Sequence, residues 1–251
     1  MRVRLISLLV VLAAWWLVSQ FTSDLIMPSP VEIFGSFVEL MQSGRLTAAL
    51  KISLTSLIYG GTLSIVIGIP LGVLMGVWRP LAEMLEHYIS ALYVIPMSAV
   101  VPLMVLWFGF DLNVQVLFIL IFTVPQVVIT CYQGAKTVPD DMIEVARAFR
   151  ASRFDIFFKV TIPYEIPFII TALRLGIGRA VQGMVVAELL LGGTRGIGIL
   201  IHQYSAALEL ANVLAIVLFI MLIGILATTF VRWIENAVAP WREGMVAGTG
   251  E

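Results

Sequence analysis

The sequence predicts an all-α, polytopic membrane protein, and two observations carry that prediction. First, 60% of the 251 residues are hydrophobic and only 12% are charged, whereas a soluble domain carries about 25% charged residues. A chain of this composition cannot cover its surface with polar groups, which excludes an ordinary soluble enzyme, a disordered chain and a nucleic-acid binder. Second, the apolar runs are continuous rather than alternating, which favours membrane-spanning helices over a barrel.

Six stretches are long and apolar enough to cross about 30 Å of hydrocarbon as helices. They are residues 5–21, 53–77, 88–110, 114–131, 167–191 and 211–234. The first follows Arg2 and Arg4, as in a signal peptide, but no A-x-A-like cleavage site comes after it, so we predict an uncleaved anchor. We expect residues 1–251 to form a single transmembrane domain.

The basic residues set the predicted orientation, because cytoplasmic segments of membrane proteins are enriched in Lys and Arg. If the N-terminus is inside, the outside segments hold three basic residues, Arg45, Lys51 and Arg195. The inside segments then hold ten, which are Arg2, Arg4, Arg79, Lys136, Arg147, Arg150, Arg153, Lys159, Arg232 and Arg242. This asymmetry predicts that both termini lie in the cytoplasm.

The two longer outside segments carry different local signals. In the first, Ser29 can cap a short interfacial helix that has Pro30 at its first position and Glu32 in its first turn. The second opens with the glycine-rich residues 192–198, which predict a flexible turn.

The longest inside segment, about residues 132–165, is predicted to fold into two short helices. Thr137 to Asp140 has the pattern of a capping box, and Ser152 to Asp155 is a second one. The first helix places acidic residues before basic ones, which matches the helix dipole; they are Asp140, Asp141, Glu144, Arg147 and Arg150. Pro163 is expected to end the second helix. A loop that contains two helices on one side of the membrane indicates a docking surface for a partner.

Glu144, Ala146, Arg150 and Pro163 stand at the spacing of a known pattern: E-A-A, three residues, G, nine residues, I-x-L-P. The segment thus resembles the EAA coupling loop of bacterial ABC importer permeases, although Val145 replaces an alanine and Arg150 replaces the glycine. Glycine favours a left-handed turn, so Arg150 leaves the shape of this turn open. The resemblance assigns ATPase coupling to Glu144, Val145, Ala146, Arg147, Phe149, Arg150, Ala151, Ser152 and Pro163.

Further segments resemble the nitrate/sulfonate/taurine-type branch of these permeases, namely residues 27–30, 70–76, 95–102, 106–109, 172–180 and 186–188. The resemblance covers nearly the whole chain. It implies a type I importer fold in the cytoplasmic membrane of a bacterium or archaeon. A second copy of the chain, a cytoplasmic ABC ATPase dimer and an external solute-binding protein are the implied partners, besides the lipid bilayer.

The chain contains no G-x-x-x-x-G-K-[ST] loop, so ATP and Mg are expected on the partner ATPase and no cofactor in this chain. Gly196-x-Gly198 lacks the third glycine and the preceding strand of a nucleotide loop. We therefore expect neither catalytic residues nor a metal site, and no enzyme activity of the chain itself.

A small residue recurs at every fourth position of the second predicted span, which lets another helix approach closely. This small-residue stripe consists of Gly60, Ser64, Gly68, Gly72 and Gly76. Helix packing is the expected role, with a groove lining the pore as the alternative. Pro70 within the span is expected to kink the helix.

Prolines and charges inside spans mark candidates for the translocation pathway or its gate, because both are costly in lipid. The candidates are Pro96, Ser98, Pro102, Arg179, Gln182 and Glu188. Kinks that serve packing alone are the alternative for the prolines. Glu188 is expected either near the outer gate or bonded to a partner on another span, and Arg174 is expected to snorkel to the cytoplasmic end.

The resemblance favours a small anion as the solute, such as a sulfonate, taurine or nitrate. The alternative is a thiamine-precursor pyrimidine or another small heterocycle. A stand-alone secondary transporter is a remote alternative, because that class does not need a folded inside loop. An intramembrane protease is disfavoured because G-x-S-x-G and H-E-x-x-H are absent from the sequence.

Overall fold

The computed structural model describes residues 2–23, 25–191 and 196–238. These residues form eleven α-helices and one π-turn, without a strand. The elements are α1 (Arg2–Ser19), α2 (Pro30–Gln42), α3 (Arg45–Val77), α4 (Arg79–Val94), α5 (Met97–Phe108), α6 (Leu112–Lys136), α7 (Asp140–Ala148), α8 (Arg153–Ile156), the π-turn (Phe157–Thr161), α9 (Ile162–Leu191), α10 (Ile197–Ala206) and α11 (Leu210–Val238). The all-α prediction is confirmed.

Within the described residues, four helical segments are long and apolar enough to cross a membrane: Arg45–Val77, Leu112–Lys136, Arg153–Leu191 and Leu210–Val231. Helices α4 and α5 together make a fifth candidate, bent by 98°. The described apolar part of α1, Leu9–Ser19, is shorter than a span. Four of the six predicted spans thus have a counterpart of full length, and the bent pair is a candidate for one more. The predicted crossing by residues 5–21 stays a prediction.

The prediction of one continuous span over residues 88–110 is wrong. The helix begins earlier, at Arg79, and breaks between Val94 and Met97. The cause is Pro96, which lacks an amide hydrogen and forces the residue before it out of the helical region. Ile95 accordingly has ψ 126°.

The orientation rests partly on Arg195 and Arg242, which lie outside the described residues, as do residues 192–195 of the glycine-rich segment. Cytoplasmic termini and a single domain therefore stay predictions. The chain divides into two compact units, Met1–Thr55 with Val185–Ile223, and Ser56–Met184 with Gly224–Glu251.

The core of the first unit joins α2 to the start of α3, to α10 and to α11. Ile33, Leu40, Leu46, Ile197 and Ile216 meet there, all buried. The predicted cap of α2 is confirmed. The Ser29 amide donates to the Glu32 carboxylate at 2.7 Å, and the Glu32 amide donates to the Ser29 hydroxyl at 3.3 Å, which together fix where this helix begins.

In the second unit, the small-residue stripe of α3 lies against α6. A Cβ atom added to Gly60 would meet Ile119 at 2.7 Å, and one added to Gly68 would meet Val127 at 2.8 Å. At Gly72 and Gly76 the added atom would meet α6 as well. At these four positions the two helices are therefore too close for any side chain larger than that of glycine. Helix α3 continues through the exposed Pro70.

Candidate functional site

The predicted coupling loop forms an exposed elbow, which we define as residues 140–163. None of the residues of α7 is buried. The prediction that Thr137 caps α7 is wrong: the residue at the N-cap is Pro139, and the Thr137 hydroxyl donates instead to the Gly134 carbonyl oxygen at 2.7 Å. That bond serves the end of α6, because the last carbonyl groups of a helix have no partner within the helix.

The turn after α7 keeps the left-handed shape that glycine would favour, although arginine occupies it. Arg150 has φ +56°. The Arg150 amide donates to the Arg147 carbonyl at 2.8 Å, and the Ala151 amide donates to the Ala146 carbonyl at 3.0 Å. These two bonds are those of a Schellman motif. A left-handed conformation costs a non-glycine residue about 1–2 kcal/mol, so the surrounding bonds hold the turn against that cost.

The second predicted capping box is confirmed. The Ser152 amide donates to the Asp155 carboxylate at 3.2 Å, and the Asp155 amide donates to the Ser152 hydroxyl at 3.1 Å. Lys159 then pairs with the Asp155 carboxylate at 2.6 Å. Ser152 therefore begins a new helix two residues after the left-handed turn.

The prediction that Pro163 ends this helix is wrong. The chain continues through the π-turn, where the Ile162 amide donates to the Phe157 carbonyl, into α9. A wider turn provides room for a proline, which lacks the amide hydrogen that a regular α-helix would use at this position. The second half of the elbow, from Arg153 onward, and the span α9 are thus parts of one helical segment, Arg153–Leu191.

The elbow exposes apolar side chains among its charges. Val145 is 57% exposed, Phe149 83% and Phe154 72%, and Glu144, Arg147, Ser152 and Pro163 are exposed as well. Ala146 and Ala151, beneath the turn, are half-buried. Large exposed apolar residues rimmed by polar ones indicate an interaction surface.

Arg179 on α9 lies between two aromatic rings. Its guanidinium carbon is 4.7 Å from the ring centre of Phe122 on α6 and 5.4 Å from that of Tyr93 on α4. Among the residues that the structure describes, Arg179 forms no ion pair, and its Nε atom has no hydrogen-bond partner. Two cation–π contacts therefore take the place of a counter-ion.

The other pathway candidates are mostly exposed. Pro96 and Ser98 lie at the bend between α4 and α5, Pro102 lies within α5, and Gln182 follows Arg179 on α9. Tyr93, which contacts Arg179, precedes the bend by three residues. Arg174 is half-buried on α9.

Glu188 is buried where α9 meets α10, with a relative exposure of 1%. Its carboxylate accepts a hydrogen bond from the Gly198 amide at 2.7 Å. Ser53 of α3 is fully buried beside it, and its hydroxyl accepts from the Ile197 amide at 2.9 Å. The carboxylate and the hydroxyl thus each accept from one amide at the start of α10, where the helix dipole favours negative charge.

The glycines of Gly196-x-Gly198 make this junction possible. Gly196 has φ +146°, and a Cβ atom there would lie 2.6 Å from the carboxyl carbon of Glu188. A Cβ atom on Gly198 would lie 2.6 Å from the Cβ of Glu188. We call Ser53, Glu188, Ile197 and these two glycines the Glu188 junction.

Sequence reasoning missed Glu165 as a buried group. It lies in the first turn of α9, completely buried, with one carboxylate oxygen 2.8 Å from where a Cβ of Gly134 would stand. Neither oxygen has a hydrogen-bond partner among the described residues. The sequence signal for this group is a single carboxylate between Ile162 and Ile166. The predicted inside loop ends at about residue 165, so Glu165 is expected in the loop rather than in the span.

Comparison with known proteins gives one consistent result. Residues 68–240 match the family described as the inner membrane component of binding-protein-dependent transport systems. The chain is 32% identical to the putative aliphatic sulfonates transport permease protein SsuC of Bacillus subtilis, over 93% of this chain and 85% of the relative. It is 29% identical to the taurine transport system permease protein TauC of Escherichia coli, over 94% and 88%.

The fold has a solved counterpart. The chain is similar to a chain of the inward-facing MetNI methionine ABC transporter, with a TM-score of 0.63 and 21% identity. The match covers 77% of this chain and 97% of that chain. The family match, the relatives and the apolar helices agree: this chain is a multi-pass membrane protein of the binding-protein-dependent transport family, an ABC importer permease.

Proposed function

We propose that the elbow receives a partner ATPase, that two copies of the chain enclose the translocation pathway, and that the solute is a small anion. The observation that carries the coupling role is the left-handed Schellman turn at Arg150. This turn keeps the residues that match the EAA pattern on an exposed surface. Phe149, next to this turn, is 83% exposed, and burial of such a side chain contributes about 1.5–3 kcal/mol to docking.

Charge would direct this docking. Glu144 is exposed on α7, between the acidic first turn and Arg147, so a basic residue of the ATPase can reach it from solvent. ATP binding to the ATPase dimer would then move the elbow. Because α8, in the second half of the elbow, continues into α9 as one helical segment, the movement would reach the span that carries Arg179.

Glu144→Lys tests the coupling role. We expect ATPase association and coupled uptake to fall about tenfold or more, since an attraction becomes a repulsion, while insertion and thermal stability stay unchanged because Glu144 is exposed. Glu83→Lys is the matched control: it makes the same charge change at an exposed residue of α4. Uptake at the normal rate in Glu144→Lys would remove this residue from the mechanism.

Arg179 supports an anionic solute. A guanidinium inside a span, held by rings rather than by a carboxylate, retains most of its attraction for an anion. The names of two relatives point the same way, because sulfonates and taurine both carry a sulfonate group. A neutral heterocycle would not use this charge.

Uptake by the complete transporter with its binding protein tests the solute class. We expect Arg179→Gln to reduce uptake of a sulfonate, taurine or nitrate, whichever is transported, by about 10–100-fold, which corresponds to the loss of one charged hydrogen bond. Arg179→Lys should recover part of it. Unchanged uptake in Arg179→Gln, or uptake of a neutral pyrimidine by the wild type, would contradict the anion proposal.

A further inference from the structure

A cavity that the proposed function does not use lies between the elbow and the ends of two spans. Its volume is about 810 Å³. The ends of α3 and α6 line one side, and α7, α8 and the π-turn line the other. All of its lining residues belong to the second unit. We call it the elbow cavity.

The cavity gathers positive charge. Lys136, Arg147 and Arg153 line it together with a single carboxylate, Asp140. None of the three cations forms an ion pair with a carboxylate of the described residues. Lys136 donates to the Tyr132 hydroxyl at 3.1 Å, and that hydroxyl in turn donates to the Glu86 carboxylate at 2.9 Å.

Two exposed basic residues outside the cavity differ in this respect. Arg79 pairs with Glu83 at 2.8 Å, and Lys159 pairs with Asp155 at 2.6 Å. Each has a carboxylate four residues away on its own helical segment. The cavity thus brings together three cations that have no carboxylate partner of their own in the described part of the chain, which favours an anion from outside the chain.

The walls indicate which anion fits. Besides the cations, the cavity is lined by apolar side chains such as Val77, Val138 and Phe157. It also lies where the apolar spans α3 and α6 end, and the ends of spans lie near the level of the lipid phosphates. A free ion would gain nothing from the apolar wall, whereas a phospholipid presents a phosphate and a hydrocarbon chain together.

We propose that the elbow cavity binds the phosphate group of an anionic phospholipid, through Lys136, Arg147 and Arg153. The lipid supports α7 from the membrane side, where the chain itself buries none of its residues. This inference goes beyond the proposed function and rests on it only for the cytoplasmic orientation of the elbow. Lipid binding needs no ATPase, so it can be measured even if the coupling proposal fails.

The test titrates lipid into the full-length chain, purified in detergent and stripped of lipid, and follows the unfolding temperature. We expect dioleoylphosphatidylglycerol to raise it, and dioleoylphosphatidylcholine to leave it almost unchanged. In the double variant K136Q/R153Q the apparent affinity for phosphatidylglycerol should fall about 25-fold, roughly fivefold for each charge removed. The double variant K136R/R153K keeps both charges and should keep the affinity, which excludes loss of folding as the cause.

Arg79→Gln is the control, because this exposed cation is paired and does not line the cavity; it should bind phosphatidylglycerol as the wild type does. Three results would overturn the proposal. The first is equal stabilisation by phosphatidylcholine, and the second is an equal loss of affinity in Arg79→Gln, which would indicate general surface charge. The third is displacement of the lipid by millimolar inorganic phosphate, which would make the site one for free phosphate.

Discussion

The elbow and the Glu188 junction both begin a helix after a turn, but they are built in opposite ways. At the elbow, Ser152 and Asp155 are three residues apart and largely open to solvent. At the junction, the hydrogen bonds join residues 10 and 144 positions apart, all of them buried. The elbow therefore depends on its own sequence, and the junction depends on the packing of three helices.

This difference separates what each region contributes. An exposed, locally stabilised elbow can dock and release a partner without losing its own fold. A buried carboxylate and a buried hydroxyl that each hold one helix-starting amide contribute to the stability of the unit around them, because a hydrogen bond lost there cannot be replaced by one to water. Substitutions should therefore affect stability at the junction and partner binding at the elbow.

The largest effect is expected for Gly198→Val. A Cβ atom there would lie 2.6 Å from the Cβ of Glu188 and 3.0 Å from the Leu189 amide nitrogen, so the junction must open, at a cost of about 3 kcal/mol. The measurement is the unfolding temperature in detergent, or the yield of monodisperse protein. Gly178→Ala is the control. Nothing lies within 4 Å of its added Cβ, and we expect no loss of stability there.

A smaller loss of stability is expected for Glu188→Gln. The amide side chain keeps its shape and one acceptor oxygen but loses the charge that attracts the start of α10, so we expect a destabilisation of about 1–2 kcal/mol. Glu144→Gln makes the same change at the elbow and should leave the unfolding temperature unchanged. Equal stability of both variants would contradict the comparison between the two regions.

The smallest effect is expected for Arg150→Gly, and its sign is opposite. Glycine adopts φ +56° without strain but loses more entropy on folding, so the net stabilisation is expected to be below about 1 kcal/mol. Leu208→Gly is the parallel case, because Leu208 has φ +60° after α10. Thermal unfolding of each variant against the wild type gives the value, and a clear destabilisation of either would show that its side chain stabilises the turn.

Features encoded within a few residues could be predicted from the sequence. The boxes at Ser29 and Ser152 are examples, because capping depends on a hydroxyl and a carboxylate three residues apart. The same pattern failed at Thr137, whose hydroxyl is taken by the end of the preceding helix. Pro163 predicts a helix end that the structure does not have, because a wide turn that accommodates proline leaves no mark in the sequence.

Features that depend on distant residues could not be predicted. Nothing near Glu188 indicates that Ser53 lies beside it, and the contact of Arg179 with Phe122 requires two helices to be packed first. Glu165 is missed for the same reason, since the packing of α9 against α6 near Gly134 contributes to its burial. The sequence could place charges within spans, but it could not indicate their partners.

The π-turn between elbow and span has a consequence for how this chain tolerates insertion and deletion. A regular α-helix that gains or loses one residue must rotate everything beyond it by about 100°. A turn that already holds one surplus residue can release it locally and become an ordinary α-helical turn. Shortening residues 157–161 by one should therefore leave both flanking faces aligned, whereas the same deletion in the middle of α9 would turn Arg179 away from its two rings.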